Sequence, residues 1–327
     1  MYTEKATQTD STRPTGRFAP SPTGRMHLGN VFSALMSWLS VKSRGGQWIL
    51  RIEDLDPQRS KPEYARQIED DLLWLGLTWD AGGTASGEYV QSNRSAYYQR
   101  EFDKLQSLGL LYPCYCSRTD IMATQAPHES DGRVIYRGTC RPDGSEEKEM
   151  WLKQRAAACP HAPSVRICVP DETISFTDGH YGLQSTNLTR QCGDFIIRRA
   201  DGAWAYQLAV VTDDALMHVT EVVRGRDLLL SVAQQLFLYR TLGYPVPSFC
   251  HLPLLCNESG QRLSKRDASM HLGVLREKYS AQQLIGLLAH CAGLIDRPAP
   301  LSAEELLPYF DWNKIPTDDI TIRTDAI

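Results

Sequence analysis

A proline-rich stretch early in the chain, Pro20-Ser-Pro-Thr-Gly24-Arg-Met-His27-Leu-Gly29-Asn30, has the composition of a strand-to-helix junction. At such a junction exposed backbone N–H groups and the helix dipole attract phosphate. Gly24 and Gly29 are separated like the two glycines of a P-loop, but Asn30 stands where that loop needs lysine, and a G-x-G-x-x-G fingerprint is missing as well. His27 and Asn30, three residues apart, share a face at the helix start. On these residues alone the stretch reads equally as a phosphate site and as a proline-rich turn closed by a capping histidine. Further on, Cys114-Tyr-Cys116 and Cys140 gather three thiols. A C-x-C pair is a zinc half-site, since zinc in structural roles favours thiolates in a closed tetrahedron; three reduced, unliganded thiols are the alternative. His128 can take the fourth place on chemical grounds, imidazole being a common zinc ligand. Cys159, Cys168, Cys192, Cys250, Cys256 and Cys291 are scattered singly and read as packing residues.

The elements that must hold these groups follow from the periodicity. A short strand ending near Phe18, the loop, a helix with Leu28, Val31 or Phe32, Leu35 and Trp38 or Leu39 at helical spacing, a Gly45-Gly46 stop and a strand over residues 47–53 make one βαβ unit. Glu53 ends that second strand, at the carboxyl edge where open α/β sheets bind ligands. Ser60-Lys-Pro-Glu63 predicts a capping box on the next helix, with Tyr64, Ile68, Leu72 and Leu75 on one face and Gly76 at its end. Residues 114–191 are rich in proline, glycine and cysteine, lack a period, and read as an insertion. Residues 195–200 and 203–208 flank Asp201-Gly202, a hairpin signal. A strand over 218–223, a helix with a Ser231-x-x-Gln234 box ending at Gly243, and a short buried strand over 251–255 follow. From about Val274 the chain reads as helical, with boxes at Ser280 and Ser302. The expected fold is α/β, one parallel nucleotide-binding sheet interrupted by an inserted subdomain. Its divisions are a disordered tail at 1–14, sheet halves at 15–112 and 192–273, the insertion at 113–191 and a short helical region at 274–327.

Composition narrows the class. At 327 residues and 42% hydrophobic content a folded chain buries about 75% of its extended surface and needs no disulfide staples. No stretch approaches the roughly 18–20 apolar residues of a membrane span, and residues 1–14 carry Glu4 and Asp10 without an apolar h-region. A cytosolic setting and no membrane partner are expected. Nine cysteines, an odd number, then point to free thiols or metal ligands. The net charge of −4 argues against nonspecific coating of nucleic acid but allows a local basic patch.

The run Arg17-Phe-Ala-Pro-Ser-Pro-Thr-Gly24 followed by His27-Leu-Gly-Asn30 resembles the signature of the glutamyl branch of class I aminoacyl-tRNA synthetases, whose HIGH motif here takes the form HLGN. The second landmark of that family, the KMSKS loop, is matched by Arg262-Leu-Ser-Lys265-Arg266. The resemblance covers about Thr15 to the region of Trp312. It implies a Rossmann-like class I catalytic domain that activates glutamate with ATP and Mg2+. His27, Asn30 and Lys265 would be catalytic, and Gly24, His27, Gly29, Asn30, Ser264 and Lys265 would bind ATP. Such chemistry needs no protein nucleophile, because a carboxylate attacks the α-phosphate and pyrophosphate leaves; catalysis is positioning plus electrostatics. Glutamate needs about two cationic donors and one anionic acceptor. The resemblance assigns it Arg17, Phe18, Ala19, Pro20, Ser21, Glu53, Tyr206 and Arg224, with Glu53 on the ammonium and the arginines and tyrosine on the carboxylates. It also implies a structural zinc on Cys114, Cys116, Tyr136 and Cys140, in the pattern C-x-C followed by Y-x-x-x-C.

Only residues 267–327 follow the KMSKS-like stretch, too few for the helical anticodon reader of an ordinary glutamyl enzyme. Within its family the chain therefore resembles a truncated paralogue that activates glutamate without tRNA and transfers it to queuosine in the anticodon loop of tRNA(Asp); a monomer is expected. A truncated enzyme that charges an acceptor end stays open at this point. So does a catalytically silent synthetase-like binding module, although such a module should have lost part of the constellation that is whole here.

Overall fold

The computed structural model describes residues 13–123, 135–263 and 270–322. Ser264, Lys265 and His128 lie outside them. Strand β1 (Thr15–Phe18), helix α1 (Leu28–Lys42) and strand β2 (Gln47–Leu50) form the expected parallel βαβ unit, in register from Thr15 opposite Gln47 to Phe18 opposite Leu50, but β2 stops short of the expected Glu53, because Ile52 leaves the ladder to bridge Val90. Helix α1 can lie against β1 because residue 16 is glycine: a Cβ there would stand 2.4 Å from Val41. Helix α2 (Pro62–Trp74), strand β3 (Ala81–Gly82) and helix α3 (Ser95–Ser107) complete the first half.

The insertion follows with β4 (Leu111–Cys114), α4 (Arg118–Ala123), α5 (Glu146–Ala158), β5 (Ser164–Ile167), β6 (Thr173–Asp178), β7 (Gly182–Asn187) and β8 (Phe195–Arg198). Strands β4, β5 and β8 make an antiparallel sheet, and β6 and β7 a separate hairpin. This inserted sheet thus draws strands from both sides of the expected boundaries at 113 and 191.

Regular alternation then returns with α6 (Tyr206–Leu216), β9 (Glu221–Gly225), α7 (Val232–Leu242), β10 (Ser248–Leu252) and β11 (Leu255–Cys256). The chain closes with α8 (Leu272–Lys278), α9 (Ala281–Cys291), α10 (Ala303–Leu306) and β12 (Ile320–Thr321). The main sheet is parallel in the order β10-β9-β1-β2-β3. Neighbouring residues face opposite layers: Trp48 and Leu50 enter one core with α1, α2 and the C-terminal helices, while Ile49 enters the other with α3, α6 and α7. Strand β1 from before the insertion lies beside β9 from after it. Their junction is where the winding reverses, and in this class of sheet the crevice at the carboxyl ends of such strands takes the ligand.

Several local expectations are corrected. The Asp201-Gly202 turn exists, with Gly202 at φ +84, but its second arm is a lone Arg198–Trp204 bridge, and Tyr206 opens α6. Residues 208–211 form an apolar run, which does not by itself separate a strand from a buried helix; Trp204 instead packs edge-on against Tyr98 and Phe102. Ser60 does not cap α2. Lys61 holds the cap position with no side-chain bond, and Pro62 pre-sets the first helical residue. Ser231 cannot cap α7 because it is itself helical, at the end of a 3-10 turn over Arg226–Ser231. The boxes at Ser280–Gln283 and Ser302–Glu305 form as expected. The strand expected from His218 starts at Glu221, since His218 turns the chain with φ +54. The C-terminal region is not wholly helical: β12 pairs in parallel with β11.

Candidate active site

A cleft of about 430 Å³ opens at the carboxyl ends of β1 and β9, over the first turn of α1. Every described residue expected to bind glutamate or ATP lines it. Arg17, Phe18, Ala19, Pro20, Ser21, Glu53, Tyr206 and Arg224 line it together with Gly24, His27, Gly29 and Asn30. Arg262 and Leu263 also border it. Arg262 is tied there by Asp227, 2.7 Å from its Nη1.

The helix start is closed by its own signature residues. His27 Nδ1 accepts from the Gly29 N–H at 3.1 Å, and Asn30 Oδ1 accepts from the His27 N–H at 3.2 Å. This is a capping box made of histidine and asparagine. Glycine at 29 leaves the His27 ring undisturbed, since a Cβ there would stand 3.0 Å from the ring and push it aside. With Nδ1 occupied as an acceptor, the neutral ring carries its proton on Nε2, and α1 has no acidic side chain in its first turn to offset the dipole. The corner is therefore a set of donors and positive partial charge, suited to phosphate oxygens.

Opposite it lies a buried network of guanidiniums and carboxylates. Arg51, fully buried, donates to Glu53 Oε1 (3.0 Å) and Asp214 Oδ1 (2.6 Å), and Arg17 donates to the same Asp214 oxygen at 3.2 Å. Burial pushes the Glu53 carboxyl up, with Arg51 opposing. Burial pushes Asp214 in the same direction, but the Arg51 and Arg17 charges outweigh it and hold this carboxyl below its usual range. Arg224 is different. Its donors reach neutral acceptors: His251 Nε2 at 3.1 Å, Gln235 Oε1 at 2.9 Å, the Leu228 carbonyl at 3.4 Å and the Tyr206 hydroxyl at 3.5 Å. Among the described residues no carboxylate stands within ion-pair distance of it, and burial pushes its pKa down. A buried guanidinium without a counter-ion is a costly arrangement; it can receive a carboxylate, while Glu53 across the cleft can receive an ammonium.

Sequence reasoning missed the supports. Arg51, Asp214, Gln235 and His251 carry no motif, and apart from Glu53, two residues from Arg51, their partners lie 11 or more positions away along the chain. An aspartate pair, Asp213-Asp214, inside an otherwise apolar helix was the signal available, because buried charges occur paired.

In the insertion, the Sγ atoms of Cys114, Cys116 and Cys140 all lie within 4.8 Å of one another. The Cys116–Cys140 separation is 3.6 Å, and the Tyr136 hydroxyl is 3.4 Å from Cys114 Sγ. Two thiolates on a tetrahedral zinc stand roughly 3.7 Å apart, and a thiolate and an oxygen roughly 3.5 Å, so the three thiols are spaced to hold one metal ion, with the Tyr136 hydroxyl at a matching distance from Cys114. Tyr136 is thus brought to the thiols as expected; its hydroxyl also accepts from the Cys140 N–H at 2.6 Å, and Arg166 covers its ring at 3.8 Å. The other six cysteines are free and lie outside any such cluster among the described residues.

A parallel sheet crossed by an insertion, with a phosphate-suited helix start and a charged network lining one cleft, defines the catalytic core of a class I synthetase. Residues 15–290 match the family "tRNA synthetases class I (E and Q), catalytic domain". A glutamyl-Q tRNA(Asp) synthetase of Symbiobacterium thermophilum is 47% identical over 95% of this chain and 97% of its own length. Its counterpart in Nitratidesulfovibrio vulgaris is 42% identical over 95% and 96%. A glutamate tRNA ligase of Elizabethkingia meningosepticum, solved in complex with its amino acid, superposes with a TM-score of 0.78 at 29% identity, over 96% of this chain and 68% of that one. The chain belongs to the glutamyl-Q tRNA(Asp) synthetase family, whose members are ligase-type enzymes.

Proposed function

We propose that this protein joins L-glutamate to ATP, supplied as its magnesium complex, to form glutamyl-adenylate without tRNA, and then passes the glutamyl group to queuosine in the anticodon loop of tRNA(Asp). The observation that carries the amino-acid half is Arg224, a buried cleft guanidinium with neutral partners only, set opposite the Glu53 carboxylate. Glu53 holds the ammonium, and Arg224, Arg17 and Tyr206 share the two carboxylates. The carboxylate to be activated attacks the α-phosphorus while pyrophosphate leaves; His27, through Nε2–H, and the N–H groups at the start of α1 bear on the phosphate charge, joined by Lys265. Gly24, Gly29, Asn30 and Ser264 shape the nucleotide side. An acceptor hydroxyl then attacks the acyl carbon and AMP departs. The acceptor rests on the relatives, which this chain matches over almost their whole length under the name glutamyl-Q tRNA(Asp) synthetase. A cytoplasmic location follows from that substrate, and no described helix is long and apolar enough to cross a membrane.

Pyrophosphate exchange into ATP, dependent on glutamate and measured without any tRNA, tests this reading. Robust exchange is expected. Strict dependence on tRNA would indicate an acceptor-end enzyme, and none under any condition a silent module. Transfer of labelled glutamate to tRNA(Asp) containing queuosine, and not to the same tRNA lacking it, is the expected second result.

The four donors Cys114, Cys116, Cys140 and Tyr136 are assigned to one structural Zn2+, which when bound cross-links β4 to the segment carrying Tyr136 and Cys140; no catalytic step passes through it. Protein purified without chelators should contain about one zinc per chain, and a near-zero content by elemental analysis would remove the site.

A further inference from the structure

The inserted hairpin buries one residue against β10, the edge strand of the main sheet. Asp178, the last residue of β6, is almost completely buried, and its Oδ1 accepts from the backbone N–H groups of His180 (3.0 Å), Tyr181 (2.9 Å) and His251 (3.2 Å). Its Oδ2 lies 2.6 Å from Nδ1 of His251, a fully buried residue of β10. The other ring nitrogen, Nε2, faces Nε of Arg224 at 3.1 Å. Guanidinium can only donate, so Nε2 accepts, and Nδ1 therefore carries the proton that Asp178 receives. Burial and the nearby Arg224 charge keep the ring neutral, against the pull of Asp178.

We propose that His251, fixed by Asp178, is a positioning residue that aims Arg224 at the substrate carboxylate while leaving its positive charge available. A carboxylate in direct contact with Arg224 would orient it equally well but would neutralise it, and a ligand carboxylate would then have to compete. Interposing a neutral imidazole separates the two tasks: the Asp178 charge is spent on fixing the ring tautomer, and Arg224 reaches the cleft unpaired. The ring of Phe249, 5.5 Å from the guanidinium carbon, supports the arginine from below without a counter-charge. This inference rests on the reading that Arg224 binds glutamate.

Asp178→Asn is the discriminating change. Three N–H donors hold the Oδ1 position as an oxygen, so the amide nitrogen must take the Oδ2 position and donate to Nδ1. The ring then protonates on Nε2 and sets a donor against Arg224 Nε–H. In tRNA-independent exchange the KM for glutamate should rise about tenfold or more, with the KM for ATP within about twofold of wild type. His251→Gln keeps an acceptor within reach of Arg224 and should retain most of the glutamate affinity, whereas His251→Leu should lose it as Asp178→Asn does. In the His251→Gln background, Asp178→Asn should add little. Equal rises in both KM values, no rise in a folded Asp178→Asn protein, or equal behaviour of the Gln and Leu variants would overturn the proposal. Arg224→Gln is the control: if it leaves the glutamate KM unchanged, the underlying assignment of Arg224 has failed instead. Should Asp178→Asn not fold, the Gln and Leu comparison decides alone.

Discussion

Arg224→Gln should raise the KM for glutamate by about two orders of magnitude in exchange assays while leaving that for ATP nearly unchanged. Truncating one member of a buried, hydrogen-bonded charge pair costs ~2–5 kcal/mol, and ~2.7 kcal/mol is a hundredfold. The unusual part of the expectation concerns the protein without substrate. Arg224 is buried among neutral acceptors, and burial lowers its pKa. The unliganded fold therefore carries the desolvation of this cation with only the more distant Asp214 charge and neutral acceptors to offset it. Removing the charge should leave the melting temperature of the free protein unchanged or higher. What should vanish is the rise in melting temperature on adding glutamate, since a ligand stabilises in proportion to its binding to the native state. Arg224→Lys should behave like Arg224→Gln toward glutamate, because an ammonium cannot span His251, Gln235 and a ligand as the planar fork does. A free protein that melts much lower, with the glutamate-induced rise intact, would show that Arg224 serves the fold and not the ligand.

The contrast between Arg17 and Arg224 also shows what the sequence could and could not disclose. The stretch from Arg17 to Asn30 was legible through the family signature it carries; its local residues alone left a phosphate site and a capped turn equally open, and the cap made by residues three apart is what the structure adds. Glu53 was expected at a strand end but lies three residues past the end of β2, still on the cleft edge, and the thiols were legible from their spacing. The division of labour between the arginines was not. Arg17 shares Asp214 with Arg51, and Arg224 depends on His251, contacts that join residues 197, 163 and 27 positions apart. Nothing in a window of sequence distinguishes a paired arginine from an unpaired one. The missed elements fail for a related reason. Tyr206 heads a helix whose buried run also satisfies a strand, and Ser60 and Ser231 have the letters of a capping box but not its geometry, Ser60 lying one residue before the cap and Ser231 being helical itself. Conversely, Ser280 and Ser302 sit where the preceding chain is extended, and there the same letters do make the bonds.

The largest loss of stability is expected from Asp213→Ala, one residue from the cleft network and on the opposite side of its chemistry. Asp213 is fully buried and accepts from Arg94 Nε at 2.6 Å, Gln91 Nε2 at 2.8 Å and the Tyr98 hydroxyl at 2.8 Å, with Arg51 Nε at 3.9 Å. These donors come from α3 and the turn before it, so one carboxylate on α6 ties two helices of the same layer together. Burial first, and the adjacent Asp213 charge second, push the Tyr98 phenol far above its usual range, so it is held as a proton donor. Removing the carboxylate leaves Arg94 without its counter-ion, deprives Arg51 of one, and strands two neutral donors. Breaking a buried pair in this way costs ~3–5 kcal/mol, a large share of the ~5–15 kcal/mol that holds a typical domain together. Asp213→Asn keeps acceptor oxygen for Arg94 but not the charge, and should fall between wild type and Asp213→Ala. Denaturant midpoints of the three proteins, with glutamate and ATP KM values on the folded fraction, check this. A midpoint ordering of wild type, Asn, Ala is expected. An alanine variant as stable as wild type would show that Arg94 and Arg51 find other partners, and that Asp213 is not the tie between α3 and α6.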